Sequence, residues 1–310
     1  MQRRIFLAAP LLALTPRAAR ASERVVVLAG LQATFSIATA LARNTAIEVL
    51  AAFPADTGMA EQADWLARRT RTDFMAAARR ADAAIGIRAV WPADPLYPEV
   101  RRRNIHAIEI DASASFQPEL AGVATLATPA GDGARREASP FIWLSLTNAV
   151  RMTDIAAADL KRLNVPDAAQ IERNQADFRG AILALRGEYE ARLAAFDDPA
   201  AILLAPALRY LLSDMAVRIA AVFAKSDVDW TADDRTVFAA AFKRSGTQTV
   251  VAAQPPVAGI AAMITALGGK LAVLDTLDPG LAMPDGSRDP DGLLRGLRGN
   301  LAALSGALTG

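Results

Sequence analysis

The feature that most constrains the fold is one uninterrupted helical pattern, Asp167–Phe196, which separates two series of alternating strand and helix patterns. Its apolar residues recur at steps of three and four: Ile171, Phe178, Ile182, Leu185, Tyr189 and Leu193. A helix of that length spans about 45 Å, which is more than one small layer of secondary structure needs. The pattern fits a helix that joins two lobes and, equally, a long helix on the surface.

The first series lies before residue 112. It predicts four strands, alternating with three helices: strands over Val25–Gly30, Ala46–Phe53, Ala83–Ile87 and His106–Ile110, and helices over Ala33–Ala42, Glu61–Arg80 and Pro95–Arg103. Residues 112–138 are rich in Ala, Gly, Pro and Thr and predict a loop. Strands that alternate with helices indicate parallel pairing in a doubly wound sheet.

The second series follows the long helix. It predicts strands over Ala200–Leu204, Thr249–Ala253 and Lys270–Leu274, and helices over Tyr210–Phe223, Thr231–Ser245, Val257–Leu267 and Pro290–Leu308. The acidic stretch Asp285–Asp291 is interpreted as a solvated loop. The expected fold is therefore α/β, with two doubly wound α/β lobes joined by a long rigid linker helix. Any ligand is expected in the cleft between the lobes, at the carboxyl ends of the strands.

The N-terminal residues have the pattern of a bacterial export signal. Arg3 and Arg4 precede an apolar run that is far shorter than the roughly 20 residues of a membrane span. Ala19-Arg20-Ala21 has the small-x-small pattern of a cleavage site, and Arg3-Arg4 also fits a twin-arginine signal, so Sec and twin-arginine export both remain open. The expected divisions are a signal peptide over 1–21, a first lobe over 22–150, a connecting segment with the linker helix over 151–196 and a second lobe over 197–310.

Composition excludes several classes of function. Without the four arginines of the signal, 30 basic side chains stand against 33 acidic ones, a balance that does not suit a nucleic-acid partner. The chain has no Cys, so no disulfide holds it and no thiolate binds metal. Its one His, His106, is interpreted as a structural residue at a strand edge. Neither a nucleophile elbow nor a phosphate-binding Gly loop occurs, and we expect a monomer that is not an enzyme.

The segment Ser139–Ser145 reads Ser-Pro-Phe-Ile-Trp-Leu-Ser. It resembles the Asp-Pro-His-x-Trp-Leu-Ser segment of the periplasmic solute-binding proteins, of TroA-like fold, that deliver zinc or manganese to ABC importers. Further segments resemble the same family in the same order: Ile202–Tyr210, Ala253-Gln254-Pro255 and Leu274–Gly280. The resemblance covers most of the chain after the signal and is strongest from Ser139 to Pro279. It implies a periplasmic protein whose partner is an ABC permease in the inner membrane.

The resemblance also implies a metal site, and this chain departs from it. The family binds a divalent metal through typically three His and one Asp or Glu. The matching positions here are Trp65, with Asp64 beside it, then Phe141, Ala205 and Asp278. Only Asp278 retains a ligand side chain, so the chain is identified as a divergent member of the family with most metal ligands missing. Binding of zinc or manganese at this place is disfavoured, and no cofactor is predicted with certainty.

A different ligand is the alternative that these substitutions suggest. Aromatic side chains then line the cleft, and Arg209 is available for an anionic group. Asp278 is expected to face Arg209 or backbone amides, because an unpaired carboxylate in a cleft costs stability. The candidate cleft residues are Trp65, Phe141, Trp143, Arg209, Tyr210, Gln254 and Asp278.

Two functions follow from these observations. The first is the solute-binding component of an ABC-type metal import system, with a degenerate or altered cleft site, which passes its ligand to the permease. The second is an accessory or interaction protein that keeps the scaffold and binds no small ligand. An enzyme is the least favoured reading, because no pair of a nucleophile and a base is visible in the sequence.

Overall fold

The computed structural model describes residues 24–68, 72–127 and 138–309, so the predicted signal over 1–21 lies outside the described residues. The first lobe contains a parallel sheet of four strands in the order β2-β1-β3-β4. Its strands are β1 (Val25–Ala29), β2 (Ile47–Ala51), β3 (Ala83–Gly86) and β4 (Ile108–Asp111). Its helices are α1 (Gln32–Leu41), α2 (Met59–Ala67), α3 (Thr72–Arg80) and α4 (Leu96–Arg103).

The continuous apolar run of β1 is explained by helices on both faces of this sheet. Val27 and Ala29 point into a central core that also contains Ile37 of α1, whereas Leu28 points into a second cluster with Phe74 of α3. Successive side chains of a strand face opposite sides, so a strand covered on both faces must be apolar throughout. The sequence prediction of a doubly wound sheet is therefore confirmed.

The second lobe repeats this arrangement. Its parallel sheet has the order β6-β5-β7-β8. The strands are β5 (Ala200–Leu203), β6 (Arg218–Val222), β7 (Thr249–Ala252) and β8 (Lys270–Val273). The helices are α7 (Arg209–Asp214), α8 (Ala232–Ser245), α9 (Ala258–Ala266) and α10 (Gly292–Leu308). Both sheets have the same strand order relative to the chain, so their carboxyl-end loops form equivalent surfaces.

Two of the predicted helices are wrong in extent. The predicted helix Tyr210–Phe223 is the short helix α7 followed by the edge strand β6, and Ala216 turns the chain between them with φ of +55°. The apolar run before Phe223 fits a helix or a strand, and pairing with β5 decides the outcome. The predicted helix Glu61–Arg80 is divided into α2 and α3, because Arg68 leaves the helix with an extended backbone.

Two long helices connect the lobes. They are α5 (Leu146–Leu163) and α6 (Ala168–Leu193), separated by a short 3₁₀ turn at Val165–Asp167. The prediction of a long helix is confirmed by α6, whose 26 residues span about 39 Å. Asn174 of α6 donates to the carbonyl oxygens of Leu41, at 2.8 Å, and Arg43, at 2.7 Å, in the first lobe. Among the described residues, none of the helices is both long and apolar enough to cross a membrane.

The central core runs through both lobes without interruption. It contains Ile37 of α1, Met152 of α5, Leu185 of α6 and Leu301 of α10, all fully or almost fully buried. Separating the lobes would expose the apolar area of this core to water, so the core favours the arrangement in which the lobes stay packed together. The connecting helices are therefore part of the packing of each lobe, and the lobes are held in a fixed relation.

Asp94, in the turn after β3, is a buried carboxyl group with a raised pKa. Its Oδ1 accepts the Leu96 amide at 2.9 Å, and Gly86 leaves room for it, since a Cβ at position 86 would lie 2.4 Å from its Oδ2. Burial raises the pKa of Asp94 to about 6, against the opposing effects of the Leu96 and Ile87 amides and of Arg88. The native state therefore holds this proton at pH values where the unfolded chain has lost it.

We expect the free energy of unfolding to fall as the pH rises from about 4 to about 6 and then to level off. A shift of roughly two pKa units corresponds to about 3 kcal/mol in the free energy of unfolding. Urea unfolding at several pH values gives the free energy of unfolding as a function of pH. The slope of that free energy against pH should be smaller for Asp94→Asn than for the wild type. Some slope remains, because burial also raises the pKa of Asp278. Asp73→Asn, on the exposed side of α3, should keep the wild-type slope, and an unchanged slope in Asp94→Asn would contradict the prediction.

Candidate ligand cleft

Asp278 lies where the second lobe meets the first. It follows β8, and its Oδ1 accepts the backbone N–H of Met59, the first residue of α2, at 2.9 Å. Burial raises the pKa of Asp278, the Met59 amide and Arg288 oppose that rise, and Glu61 and Asp275 add to it. The carboxylate thus sits at a helix N-terminus, where a negative charge is favoured. Of the two predicted partners, Arg209 and backbone amides, the amide is the one observed.

Gly58, rather than Trp65, faces Asp278. A Cβ at position 58 would lie 3.4 Å from Asp278 Oδ1. Trp65 packs against the second cluster of the first lobe, the one that contains Leu28. Its ring meets those of Phe53 and Phe74 edge-on, with centroid distances of 5.2 Å and 6.1 Å. Trp65, the predicted match to the first ligand position, thus packs among the rings of the first lobe, and Gly58, which has no side chain, is the residue beside Asp278.

Phe141 and Trp143 support the segment that carries Asp278. Their ring centroids are 5.5 Å apart, on either side of the start of the 3₁₀ turn Ile142–Leu144. Trp143 is 1% exposed, and its Nε1 donates to the carbonyl oxygen of Thr276 at 2.9 Å. Phe141 is half-buried against the central core. The second ligand position is therefore occupied by a packed ring that offers no lone pair.

Arg209 and Tyr210, at the start of α7, bind other loops. Arg209 donates through Nη1 to the carbonyl oxygen of Ala127 at 3.0 Å, so it is the one of the two predicted partners that Asp278 does not use. The Tyr210 hydroxyl accepts the Leu126 amide at 2.9 Å and donates to the Ser139 carbonyl oxygen at 3.0 Å. Burial raises the pKa of this hydroxyl. Both side chains join residues 126, 127 and 139 to the second lobe.

Ala205 and Gln254 line a separate small cavity of about 270 Å³ at the carboxyl ends of β5 and β7. Lys225 and Trp230 also line this cavity, and Asp278 does not. Lys225 pairs with Asp234 at 2.8 Å. The position that resembles the family's third ligand thus carries a methyl group, and Ser226 and Asp227 line the same cavity beside Lys225 and Gln254.

Arg288 is a site residue that the sequence interpretation missed. The predicted solvated loop Asp285–Asp291 is wrong at its centre, where Arg288 is 4% exposed and Asp289 is 1% exposed. Arg288 donates through Nη2 to the Pro54 carbonyl oxygen at 2.9 Å. Burial lowers its pKa to about 10, although Asp278 and Asp56 act in the opposite direction. Polar loop composition gave no sign of this burial, which depends on contact with the other lobe.

Gln32 ties the same loop to α1. This buried side chain donates through Nε2 to the Asp289 carbonyl oxygen at 2.7 Å and accepts the Leu281 amide at 2.9 Å through Oε1. Gly280 donates its amide to the Ala55 carbonyl oxygen at 2.9 Å. Together with Asp278 and Arg288, these bonds fasten the segment after β8 across the first lobe.

The donors near Asp278 do not fit a tetrahedral zinc site, which needs four ligands drawn from His, Cys, Asp and Glu. Within residues 24–68, 72–127 and 138–309, no group of three or more such side chains is arranged to hold a metal ion. His106 is exposed just before β4, where its backbone N–H donates to Asn104 Oδ1 at 3.0 Å. Asp278 therefore lies beside Gly58 and the Met59 amide, with the charges of Arg288, Glu61 and Asp275 near enough to act on its pKa, and these groups do not form a zinc ligand set.

Comparison with known proteins gives a consistent result. The sequence profile of the ZnuA family, described as zinc-uptake complex component A, periplasmic, matches residues 26–307. A mutant of FpvC from Pseudomonas aeruginosa superposes with a TM-score of 0.73 at 17% identity, over 92% of this chain and 99% of that one. FpvC from the same organism in complex with Mn²⁺ superposes at 0.70 with 19% identity, over 92% and 99%.

YcdH from Bacillus subtilis, a metal-dependent lipoprotein, superposes with a TM-score of 0.70 at 18% identity, over 92% of this chain and 99% of that one. No curated protein matches the chain. Structural similarity at 17–19% identity shows a shared fold, whereas the match to the sequence profile shows the family. Because that match covers most of the chain, from the first strand to the last helix, the chain belongs to the ZnuA family of periplasmic zinc-uptake components.

Proposed function

We propose that this protein is the periplasmic solute-binding component of an ABC importer, and that its cleft does not take up zinc or manganese through the ligand set of its family. The observation that carries this proposal is the surroundings of Asp278. Its Oδ1 is bonded to the Met59 amide, and the positions that would complete a metal site are Gly58, Phe141 and Ala205. One carboxylate does not hold a transition metal tightly.

Family membership supports the other parts of the proposal. A component of this family works outside the cytoplasm and hands its ligand to a permease of the inner membrane. The export signal expected over residues 1–21, for the Sec or the twin-arginine route, agrees with a location outside the cytoplasm. The solved relatives include a complex with Mn²⁺, so a divalent metal is the ligand against which the proposal must be tested first.

A second candidate function is an accessory protein that stays closed without a ligand. The bonds of Gln32, Gly280 and Arg288 favour it, because they join the two lobes directly through the protein's own groups. A protein of this kind would dock on its partner in one fixed shape. The two candidates differ in whether any small molecule stabilises the protein.

The test is a thermal-shift experiment on the metal-stripped mature protein with zinc, manganese and nickel. A ligand at 100 times its Kd adds roughly 2.7 kcal/mol, which raises the Tm by several degrees. We expect no shift beyond about 1 °C for the wild type or for Asp278→Ala. Asp285→Ala, which removes an exposed carboxylate of the same region, is the matched control. A rise of several degrees in the wild type that Asp278→Ala abolishes would refute the proposed loss of metal binding.

A further inference from the structure

A larger cavity, of about 740 Å³, lies between the first lobe and the loop 286–290 of the second. Its walls include four aromatic rings and one buried cation: Phe35, Phe53, Trp65, Phe74 and Arg288. The volume is within the range of sites for small organic molecules, and such sites combine apolar walls with few polar groups. Of the four ligand positions implied by the family resemblance, Trp65 lines this cavity through its ring, whereas Phe141, Ala205 and Asp278 do not line it.

Arg288 is the polar group that gives this cavity a chemical preference. It forms no ion pair with a carboxylate of the described residues, and its Nε has no hydrogen-bond partner. Asp278 and Asp56 influence it only at longer range. A buried guanidinium normally pairs with a carboxylate, because taking a charge out of water is costly. The residue therefore retains capacity to bind an anion.

The other charged groups at the cavity are exposed. Arg80 pairs with Glu48 at 3.4 Å, and Asp73 lies one residue before Phe74. A single buried cation suits a single negative charge, and the long-range influence of Asp278 and Asp56 opposes a doubly charged group. The aromatic walls suit an apolar body, since each buried ring favours contact with apolar surface.

We propose that Arg288 and this cavity form a binding site for a small apolar or aromatic molecule that carries one carboxylate. The carboxylate faces the guanidinium, and the apolar body packs against Phe53 and Phe74. A charged hydrogen bond in a place removed from water gives the site its selectivity for the anion over an uncharged analogue. This site lies outside the family ligand positions and does not depend on the function proposed above.

The test uses indole-3-acetate and its uncharged analogue indole-3-acetamide with the mature wild-type protein, measured by isothermal titration calorimetry and thermal shift. We expect indole-3-acetate to bind at least tenfold more tightly than the amide. Arg288→Gln should reduce its affinity about tenfold and leave the amide unaffected. Arg298→Gln, which removes an exposed arginine paired with Glu188 at 3.0 Å, is the matched control and should bind as the wild type does.

A second variant keeps the test decisive if Arg288→Gln does not fold. Ala76 is exposed on α3 and lines the cavity, so Ala76→Trp fills the space without disturbing the core. It should abolish binding of the probe and leave the Tm of the free protein nearly unchanged. Equal affinity for the acid and the amide, or binding that survives Ala76→Trp, would overturn the inference. Such a failure leaves the metal experiment, which concerns Asp278, unaffected.

Discussion

Trp143→Ala is expected to lower the free energy of unfolding by about 3–5 kcal/mol, the range for removing a large buried aromatic side chain. Trp143 is 1% exposed and stands in the central core that both lobes share. Its loss removes apolar contacts, leaves a cavity and frees the Thr276 carbonyl oxygen from its indole partner. Chemical denaturation of the wild type and the variant measures the effect.

Trp143→Phe separates packing from hydrogen bonding in this result. It keeps a ring in the core and loses the Nε1 donor, so we expect a smaller cost of about 1–2 kcal/mol. Trp230→Ala is the comparison for the location of the ring. Trp230 is buried in a cluster that belongs to the second lobe alone, whereas Trp143 is buried in the core that both lobes share. A loss in Trp143→Ala below about 1 kcal/mol would show that this ring does not support the joint between the lobes.

The combined variant Gly58→His, Phe141→His, Ala205→His is expected to gain zinc binding. Gly58 has φ of −80°, Phe141 has φ of −76° and Ala205 has φ of −128°, so each backbone accepts a side chain. A Cβ at position 58 already lies 3.4 Å from Asp278 Oδ1. The family resemblance implies that the four positions converge, and three imidazoles with one carboxylate would then complete a tetrahedral set. With zinc at a thousand times its Kd, stability should rise by about 4 kcal/mol.

The control for this gain is the same variant with Asp278→Ala, which should lose most of the zinc response. Thermal shift with and without a chelator measures both proteins under identical conditions. Gly58→His alone should show little response, because two ligands do not hold zinc tightly. A folded triple variant with no zinc response would mean that positions 58, 141 and 205 do not converge on Asp278.

The elements with strong local signals were predictable from the sequence. Thr231 caps α8 by accepting the Asp234 amide at 3.2 Å, while the Asp234 carboxylate accepts the Thr231 amide at 2.7 Å. Gly268, just after α9, has φ of +76°. Capping and left-handed helix ends depend on residues three or four apart, so the sequence contains the whole interaction.

The predictions that failed involve contacts between distant residues. The apolar run Ile219–Val222 became part of strand β6 because β5 offered an edge for pairing. Of the two partners expected for Asp278, Arg209 bonds to Ala127 instead, and a backbone amide is the partner observed. The loop around Arg288 has a polar composition, yet it is buried because the first lobe covers it. A local sequence pattern contains no information about a contact partner that lies far away in the sequence.

Sequence patterns alone were enough to predict the two α/β series, the long helix between them, the family and the scarcity of metal ligands. Each of these depends on periodicity, local turn chemistry or the identity of single residues. Which distant residues contact each other can be seen only in the folded protein. Asp278 reaches the Met59 amide across 219 residues, and Arg288 reaches Pro54 across 234. Such contacts form because the shared core brings distant segments together, and burial then sets the charge and accessibility of the groups it encloses.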